Sequence, residues 1–350
     1  MTEANISAHH DTAAGADVSV LARARGLADE HLFPAALDVD ASGEVPVTQL
    51  AKVADAGLYG LTSSDAEFGL AADATTVCAV IEALASGCLT TAFVWTQHLG
   101  AAAAASAAAD TVRQRWEQSL ASGTSRAGVA FAHLLRPGPP LTVAEPAGDG
   151  WRFTGSAPWV TGWGHIDVVH AAARYGDDIV WALLDASPRA TLQADQLQLA
   201  AVNSSATVTL TYNADPVTAD RVTRVEPYAD WKYRYGFGLR TNGSLALGVA
   251  SRCCVLLDHG DFTAELAAIR TELDSADIDA MPLARAAASA FAVRAAAALV
   301  ATTGGRSVTM VEHGQRLLRE AMFLLVQGQT PAIREHLVSL FSAPPSPYLR

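Results

Sequence analysis

The 350-residue chain is short of charge and of cysteine. Only 17% of its residues are charged, half are hydrophobic, and Lys+Arg 24 against Asp+Glu 36 leaves a net charge of −12. So few basic groups argue against nucleic acid as a partner, because phosphate affinity needs a basic face. The apolar half suffices to fill a core and excludes wholesale disorder. Cys78, Cys88, Cys253 and Cys254 are too few to staple a chain of this size. Their spacing does not match a zinc site, so no metal is expected, and a reduced, cytoplasmic compartment is the simplest reading. The first residues lack the basic-then-apolar order of a signal peptide. The longest uncharged run, Ala83 to Ala109, could span a bilayer by length. Alanine is its commonest residue and it includes Ser86, Thr90, Gln97 and His98, so it reads as buried helices and no membrane partner is expected. No repeat of solenoid period is present, and neither GxGxxG nor GxxxxGK[ST] occurs, which removes the usual nucleotide loops.

What is present falls into three parts, 1–123, 124–224 and 225–350. In the first, Val18, Leu21, Leu27, Ala28 and Leu32 recur at helical spacing up to Pro34, and further helices are expected before Gly57, over Thr75–Ala85 and over Thr111–Leu120. In the second, Pro137, Pro139, Pro140 and Pro146 forbid a helix, Asp149-Gly150 signals a hairpin, and Thr207–Tyr212 alternates polar with apolar as a half-buried strand does. The third is helical again: Leu239–Leu257, Phe262–Leu273, Pro282 to about Thr302, Val311–Val326, and a last helix from Pro331. Helices, then strands, then helices make an α+β protein.

The densest chemical signal is the stretch Gly155 to Gly164, with Trp159, Thr161 and Trp163. From composition alone it is either a hairpin whose aromatics cover a sheet or the wall of a ligand site. His133 is either a neutral imidazole available for proton transfer or a loop histidine packed against proline. The cluster Trp231-Lys232-Tyr233-Arg234-Tyr235 is better read as a helix whose aromatics face the core or a subunit than as a nucleic-acid patch.

Trp159-Val160-Thr161, following Asp149-Gly150-Trp151-Arg152-Phe153-Thr154-Gly155, resembles the "dG-x-x-x-x-G-x-K-x-W-I-T" segment of the acyl-CoA dehydrogenase family. Ala54–Leu61, Asn203–Ala206, Leu247–Arg252, Gln315–Ala321 and Gly328–Arg334 resemble further segments of that family, in order. The resemblance implies an N-terminal helical domain, a central β-barrel-like domain and a C-terminal four-helix bundle. It implies FAD as cofactor, with Trp159 beside the isoalloxazine ring and the Thr161 hydroxyl donating toward its N5. It places Phe131 and His133 in a loop that contributes to flavin and substrate binding. It implies an acyl-CoA or other acyl thioester as substrate, and a homo- or hetero-oligomer of such subunits. The family's catalytic base is commonly a Glu in "Y-E-G-T"; the matching position here is Gln327, which accepts no proton at neutral pH. The family's "G-S-D" and "R-x-x-F-G" segments have no clear match, and Arg240 stands one residue out of register with a substrate-contacting arginine. The expected function is therefore an FAD-dependent oxidoreductase carrying out α,β-oxidation with a degraded or relocated base. The alternatives are a non-catalytic partner subunit of a heteromeric dehydrogenase and a flavin monooxygenase on the same fold.

Overall fold

The computed structural model describes residues 19–342. Helix α1 spans residues 19–42 and passes straight through Pro34, where the sequence had suggested a stop. The reason is a wide π turn, Ala28–Leu32, just before the proline; Phe33 N–H reaches back to the Ala28 carbonyl. Widening the turn there makes room for a ring that carries no N–H. Then follow α2 (Val47–Asp55), α3 (Ala74–Gly87), α4 (Leu89–Ser106) and α5 (Asp110–Ser122). The Ala83–Ala109 run is thus split between two helices at Cys88, and α4 is buried along most of its length.

The middle is one sheet: β1 (Ala127–Ala130), β2 (Thr142–Ala147), β3 (Gly150–Val160), β4 (Val168–Tyr175), β5 (Asp178–Asp185), β6 (Leu192–Gln196), β7 (Val208–Val217) and β8 (Val222–Pro227). The strand order is β6-β7-β3-β2-β4-β5-β8, with β1 beside β4. The β2–β3 hairpin forms, but pairing of Ala147 with Gly150 puts its two-residue turn at Gly148-Asp149, one residue earlier than the sequence signal. Gly148 takes the positive φ of 63° that such a turn needs.

The C-terminal part comprises α6 (Tyr228–Leu257), α7 (Gly260–Ser275), α8 (Met281–Thr303), α9 (His313–Leu324) and α10 (Pro331–Ser342). Helix α8 is long and apolar enough, with the turn after it, to cross a membrane by composition, yet half of that span is buried inside the molecule. Helix α6 begins eleven residues before the apolar run that advertised it, and buries Trp231 in the added turns.

One apolar core runs through both helical parts: Leu32, Ile81 and Leu84 pack in the same cluster as Leu247, Ala250 and Leu317. The sheet has a second core around Phe153, Val160, Val169 and Leu210. His98 on α4 joins the helices to the sheet: its Nδ1 accepts from Ala127 N–H at 3.0 Å and its Nε2–H donates to the Leu120 carbonyl at 3.0 Å. All four cysteines are buried free thiols.

Helices α3 and α6 approach closely at Gly248. A Cβ at Gly248 would stand 2.5 Å from the Glu82 carbonyl oxygen and 2.6 Å from Ala85 Cβ, whereas one at Gly100 on α4 meets nothing within 4 Å. Alanine gains about 1 kcal/mol over glycine in a helix, and overpacking against backbone costs about 1–3 kcal/mol. Gly248→Ala should therefore lower the urea midpoint while Gly100→Ala raises it; equal shifts in the two variants would show that α3 and α6 do not approach as described.

Candidate functional site

Strand β3 carries the first half of the site. Its pairing with β7 slips between Ala157 and Val160, a bulge centred on Pro158-Trp159. Trp159 has φ 66° and is 47% exposed. A bulky residue with positive φ is a true outlier, and bulges re-aim side chains near functional sites. Two residues on, Thr161 is buried. Its hydroxyl lies 3.0 Å from that of Thr207, which lies 2.8 Å from that of Ser205. Gly162 N–H and Trp163 N–H donate to the Ser205 and Ala206 carbonyls at 2.9 and 3.0 Å, tying the loop after β3 to the turn before β7. That turn is itself strained, with Val202 at φ 50° and Ala206 at φ 48°. The Ser204 hydroxyl anchors it to the Val39 carbonyl on α1.

The second half lies between the sheet and α6. Phe131 meets Trp181, Trp231 and Tyr235 with ring centres 6.0, 5.9 and 6.1 Å apart. His133, on the short turn Ala132–Leu135, is buried, and burial pulls its pKa down from 6.5 to about 4. Neither of its ring nitrogens makes a hydrogen bond of good geometry, although the Ala172 backbone lies near enough to favour the charged form slightly. His170, its ring centre 4.9 Å from that of Trp181 and tilted 30° to it, is pulled to about 4 by burial as well.

Gln327 sits past the end of α9. Its Nε2 donates to Asn242 Oδ1 at 3.3 Å, and its Oε1 accepts from Arg285 Nη2 at 3.4 Å. The same nitrogen of Arg285 donates to the Leu324 and Gln327 carbonyls at 3.3 and 3.4 Å, and its other Nη to the Ser289 hydroxyl. Arg285 is fully buried, which draws its pKa from 12.5 to about 10. Tyr235, bonded to Asn242, is raised to about 12 by burial. Gly328, at φ 60°, leaves the room these groups use: a Cβ there would fall 2.7 Å from Asn242 Nδ2 and 3.5 Å from the Tyr235 hydroxyl. The hydrogen-bond partners of the Gln327 side chain are an amide and a guanidinium, not a carboxylate.

Phe131 and Gln327 are thus linked through Tyr235 and Asn242, while Thr161 forms a separate group with Thr207 and Ser205, and Trp159 stands two residues before it on the bulge. The sequence pointed to neither Asn242 nor Arg285, since no local pattern marks a residue whose partners come from other helices. Arg240 lies in a groove of about 680 Å³ with Arg25, Arg252 and Arg270. There it pairs with Asp274, its Nε 2.7 Å from the carboxylate, as Arg270 pairs with Glu82 at 3.1 Å. Among the described residues no group of three or more His, Cys, Asp or Glu side chains could hold a metal.

A helical part, a sheet and a helical bundle, with the sheet rim set against the first turns of α6, define the class of protein. Residues 17–124 match the family model "Acyl-CoA dehydrogenase, N-terminal domain". No curated protein matches the chain by sequence. Among solved structures, butyryl-CoA dehydrogenase from Megasphaera elsdenii is similar with a TM-score of 0.79 at 16% identity, over 93% of this chain and 98% of that one. A glutaryl-CoA dehydrogenase from Mycobacterium smegmatis in complex with FADH2 gives 0.78 at 14% identity, over 95% of each chain. An acyl-CoA dehydrogenase from Geobacillus kaustophilus gives 0.74 at 15%, over 98% and 99%. Residues 17–124 thus match the family's N-terminal domain model, and the whole chain shares the three-part fold of these acyl-CoA dehydrogenases.

Buried histidines lead the acid response, and His313, drawn to about 4 by burial and then by Arg316 and Arg252, acts in the same direction. His98, His133 and His170 are each depressed from 6.5 to about 4 by burial. The unfolded chain takes up their protons below about 6.5 and the native chain only near 4, so stability is full above 6.5 and falls as pH drops toward 4. Each contributes about 1.4 kcal/mol per pH unit inside that window. Glu320, raised by burial, works in the opposite direction but is outnumbered. Urea unfolding from pH 7 to 5 should show a steep loss of midpoint; a flat profile would mean these rings are hydrated.

Proposed function

We propose that the chain is an FAD-dependent oxidoreductase of the acyl-CoA dehydrogenase type, acting on an acyl thioester, with the base role moved off residue 327. The observation that carries this reading is Trp159: a tryptophan held half exposed, at a strained positive φ, on a β-bulge. Such strain persists where the surroundings enforce it, and it gathers at ligand clamps. A flat apolar face with a hydroxyl donor two residues away fits a flat heteroaromatic ring that has a hydrogen-bond acceptor at its centre. Bound flavin would supply the hydride acceptor; the chain's own groups would hold and shield it. Trp159 would cover one face, Thr161 would supply the donor, and Phe131 and His133 would line the loop beside them. FADH2 on a structural neighbour and the shared fold support the same cofactor.

Residue 327 would bind rather than deprotonate. Its amide is engaged on both sides, by Arg285 and by Asn242. The same observation favours a second reading, a partner subunit of a heteromeric dehydrogenase in which another chain supplies the base. Four buried thiols are consistent with a reducing, cytoplasmic setting.

The purified chain should carry FAD or gain it on addition, visible in its absorbance spectrum; a colourless protein that takes up none ends the flavin reading. Trp159→Ala should weaken FAD binding about tenfold, the loss of one aromatic stacking contact and its buried area, measured by flavin titration; unchanged affinity would remove Trp159 from the site. Gln327→Ala should change acyl-CoA-dependent dye reduction by less than tenfold, because loss of a working general base costs about 10²–10⁴-fold. Wild-type protein that binds FAD yet reduces no dye unless a second dehydrogenase chain is added would decide for the partner reading.

A further inference from the structure

The groove that holds Arg240 lies on the far side of α6 from Gln327. At about 100° of turn per residue, Arg240, Ser251 and Val255 stand opposite the stripe of Tyr235 and Asn242. Residues of α1, α3, α6 and α7 line a space of about 680 Å³, a volume usual for small-molecule sites. The lining carries four arginines, Arg25, Arg240, Arg252 and Arg270, against three carboxylates, Asp29, Glu82 and Asp274. The whole chain has 24 basic to 36 acidic residues, so the groove reverses the overall balance.

The carboxylates do not use all the donors. Each guanidinium has five N–H groups in a fixed fork. Glu82 takes the Nε and Nη2 edge of Arg270, with the Nε contact at 3.1 Å. The Ser86 carbonyl accepts from Arg252 Nε at 2.7 Å, and Asp29 accepts from its Nη2. The Phe33 ring centre lies 4.1 Å from the Arg252 guanidinium carbon and fixes its plane. Nη1 of Arg252 and of Arg270 makes no hydrogen bond among the described residues. Neither atom belongs to the buried side-chain nitrogens that lack a partner, so solvent reaches both. Arg25 is exposed and pairs with no carboxylate among the described residues. Arg240 is the exception, with all three nitrogens taken by Asp274 and the Ser244 hydroxyl. Three guanidinium groups, from α1, α6 and α7, therefore offer spare donors to one space.

We propose that this groove binds the phosphoryl group of a small anionic ligand, with Arg25, Arg252 and Arg270 as its donors. Existing ion pairs hold Arg252 and Arg270 in place, so little side-chain freedom is lost when the anion arrives. A planar carboxylate favours the two parallel bonds of a single fork. Here those forks are occupied and the spare donors come from separate helices, which suits a tetrahedral group with oxygens in several directions. The site shares no residue with the flavin reading above and stands independently of it.

The test is equilibrium dialysis of the full-length chain with radiolabelled inorganic phosphate and, as a monoester, glycerol phosphate. Ionic strength is fixed, and excess FAD is present to fill any flavin site. Saturable binding at a single site is expected. Arg25→Gln, on an exposed position of α1, should weaken it about tenfold, the loss of one hydrogen bond to a charged group. Arg270→Lys keeps the charge beside Glu82 but removes Nη1, and should weaken it about fivefold. Arg113→Gln, an exposed arginine on α5 outside the groove, should change it by less than about twofold. Tighter binding of the ester than of inorganic phosphate would identify an organic phosphate as the occupant, and the reverse order free phosphate. Absence of saturable binding by either probe overturns the proposal. So does wild-type affinity in Arg25→Gln, or an equal loss in Arg113→Gln, which would mark a response to net charge alone. If Arg270→Lys does not fold, Arg25→Gln still decides, since its side chain is exposed.

Discussion

The close approach of α3 and α6 at Gly248 is the constraint on which the rest of the molecule depends. It lets one apolar core run through the N-terminal helices and the C-terminal bundle, so the two helical parts fix each other. Helix α6 then acts as a rigid ruler. Trp231, Tyr235 and Asn242 stand at i, i+4 and i+11, one stripe of a helix. Trp231 and Tyr235 meet Phe131 from the sheet, and Asn242 meets Gln327 from the end of α9. A helix anchored at Gly248 thus sets the distance between the sheet rim and residue 327. His98 fixes the other sheet contact, holding α5 and β1 to α4 through a single neutral ring.

Against that stiff frame the loop after β3 and the turn before β7 carry the strain. Positions at positive φ cost of order 1–3 kcal/mol each for residues other than glycine, and Trp159, Val202 and Ala206 cluster there. Their mutual hydrogen bonds, Gly162 to Ser205 and Trp163 to Ala206, are what keep them in place. Any glycine at these three positions would relieve the backbone, so the side chains present must be held for what they contact. For Val202 that contact is the shared helical core, whereas the Trp159 side chain is held half exposed at the surface.

Much of this was legible in the sequence, because apolar spacing, proline and glycine act locally. The order of helices and strands followed from those signals. Pro34 misled because a π turn, invisible to residue spacing, absorbs the missing N–H. The aromatic cluster Trp231–Tyr235 was read as helical, but Gly236 and Gly238 hid its continuity with the apolar run that follows; burial of Trp231 against Trp181 and Phe131 outweighs their weak helix propensity. At the site, Trp159, Thr161 and Gln327 stood out by motif. Asn242, Arg285, Ser205 and Thr207 did not, since their meaning lies in partners that only the folded chain brings near.

Composition sharpens the reading of residue 327. All but two of the 24 basic residues are arginine, the exceptions being Lys52 and Lys232, and many of them are spent on internal ion pairs such as Arg240–Asp274 and Arg316–Glu320. Arg285 differs: its hydrogen-bond partners are a hydroxyl, an amide oxygen and carbonyls at the end of α9. A helix C-terminus carries about half a negative charge, which partly balances the buried guanidinium. A glutamate in place of Gln327 would complete that balance, and for this reason would be a poor base. Set 3.4 Å from Arg285, the carboxylate would be held in its charged form with a lowered pKa, away from the intermediate value that proton abstraction needs. It would also lose the donor that Gln327 offers to Asn242. The surroundings of residue 327 therefore match a neutral amide and not a displaced catalytic carboxylate. A base elsewhere in this chain and a base on a partner chain both satisfy that constraint; simple loss of one oxygen from an otherwise conventional site does not.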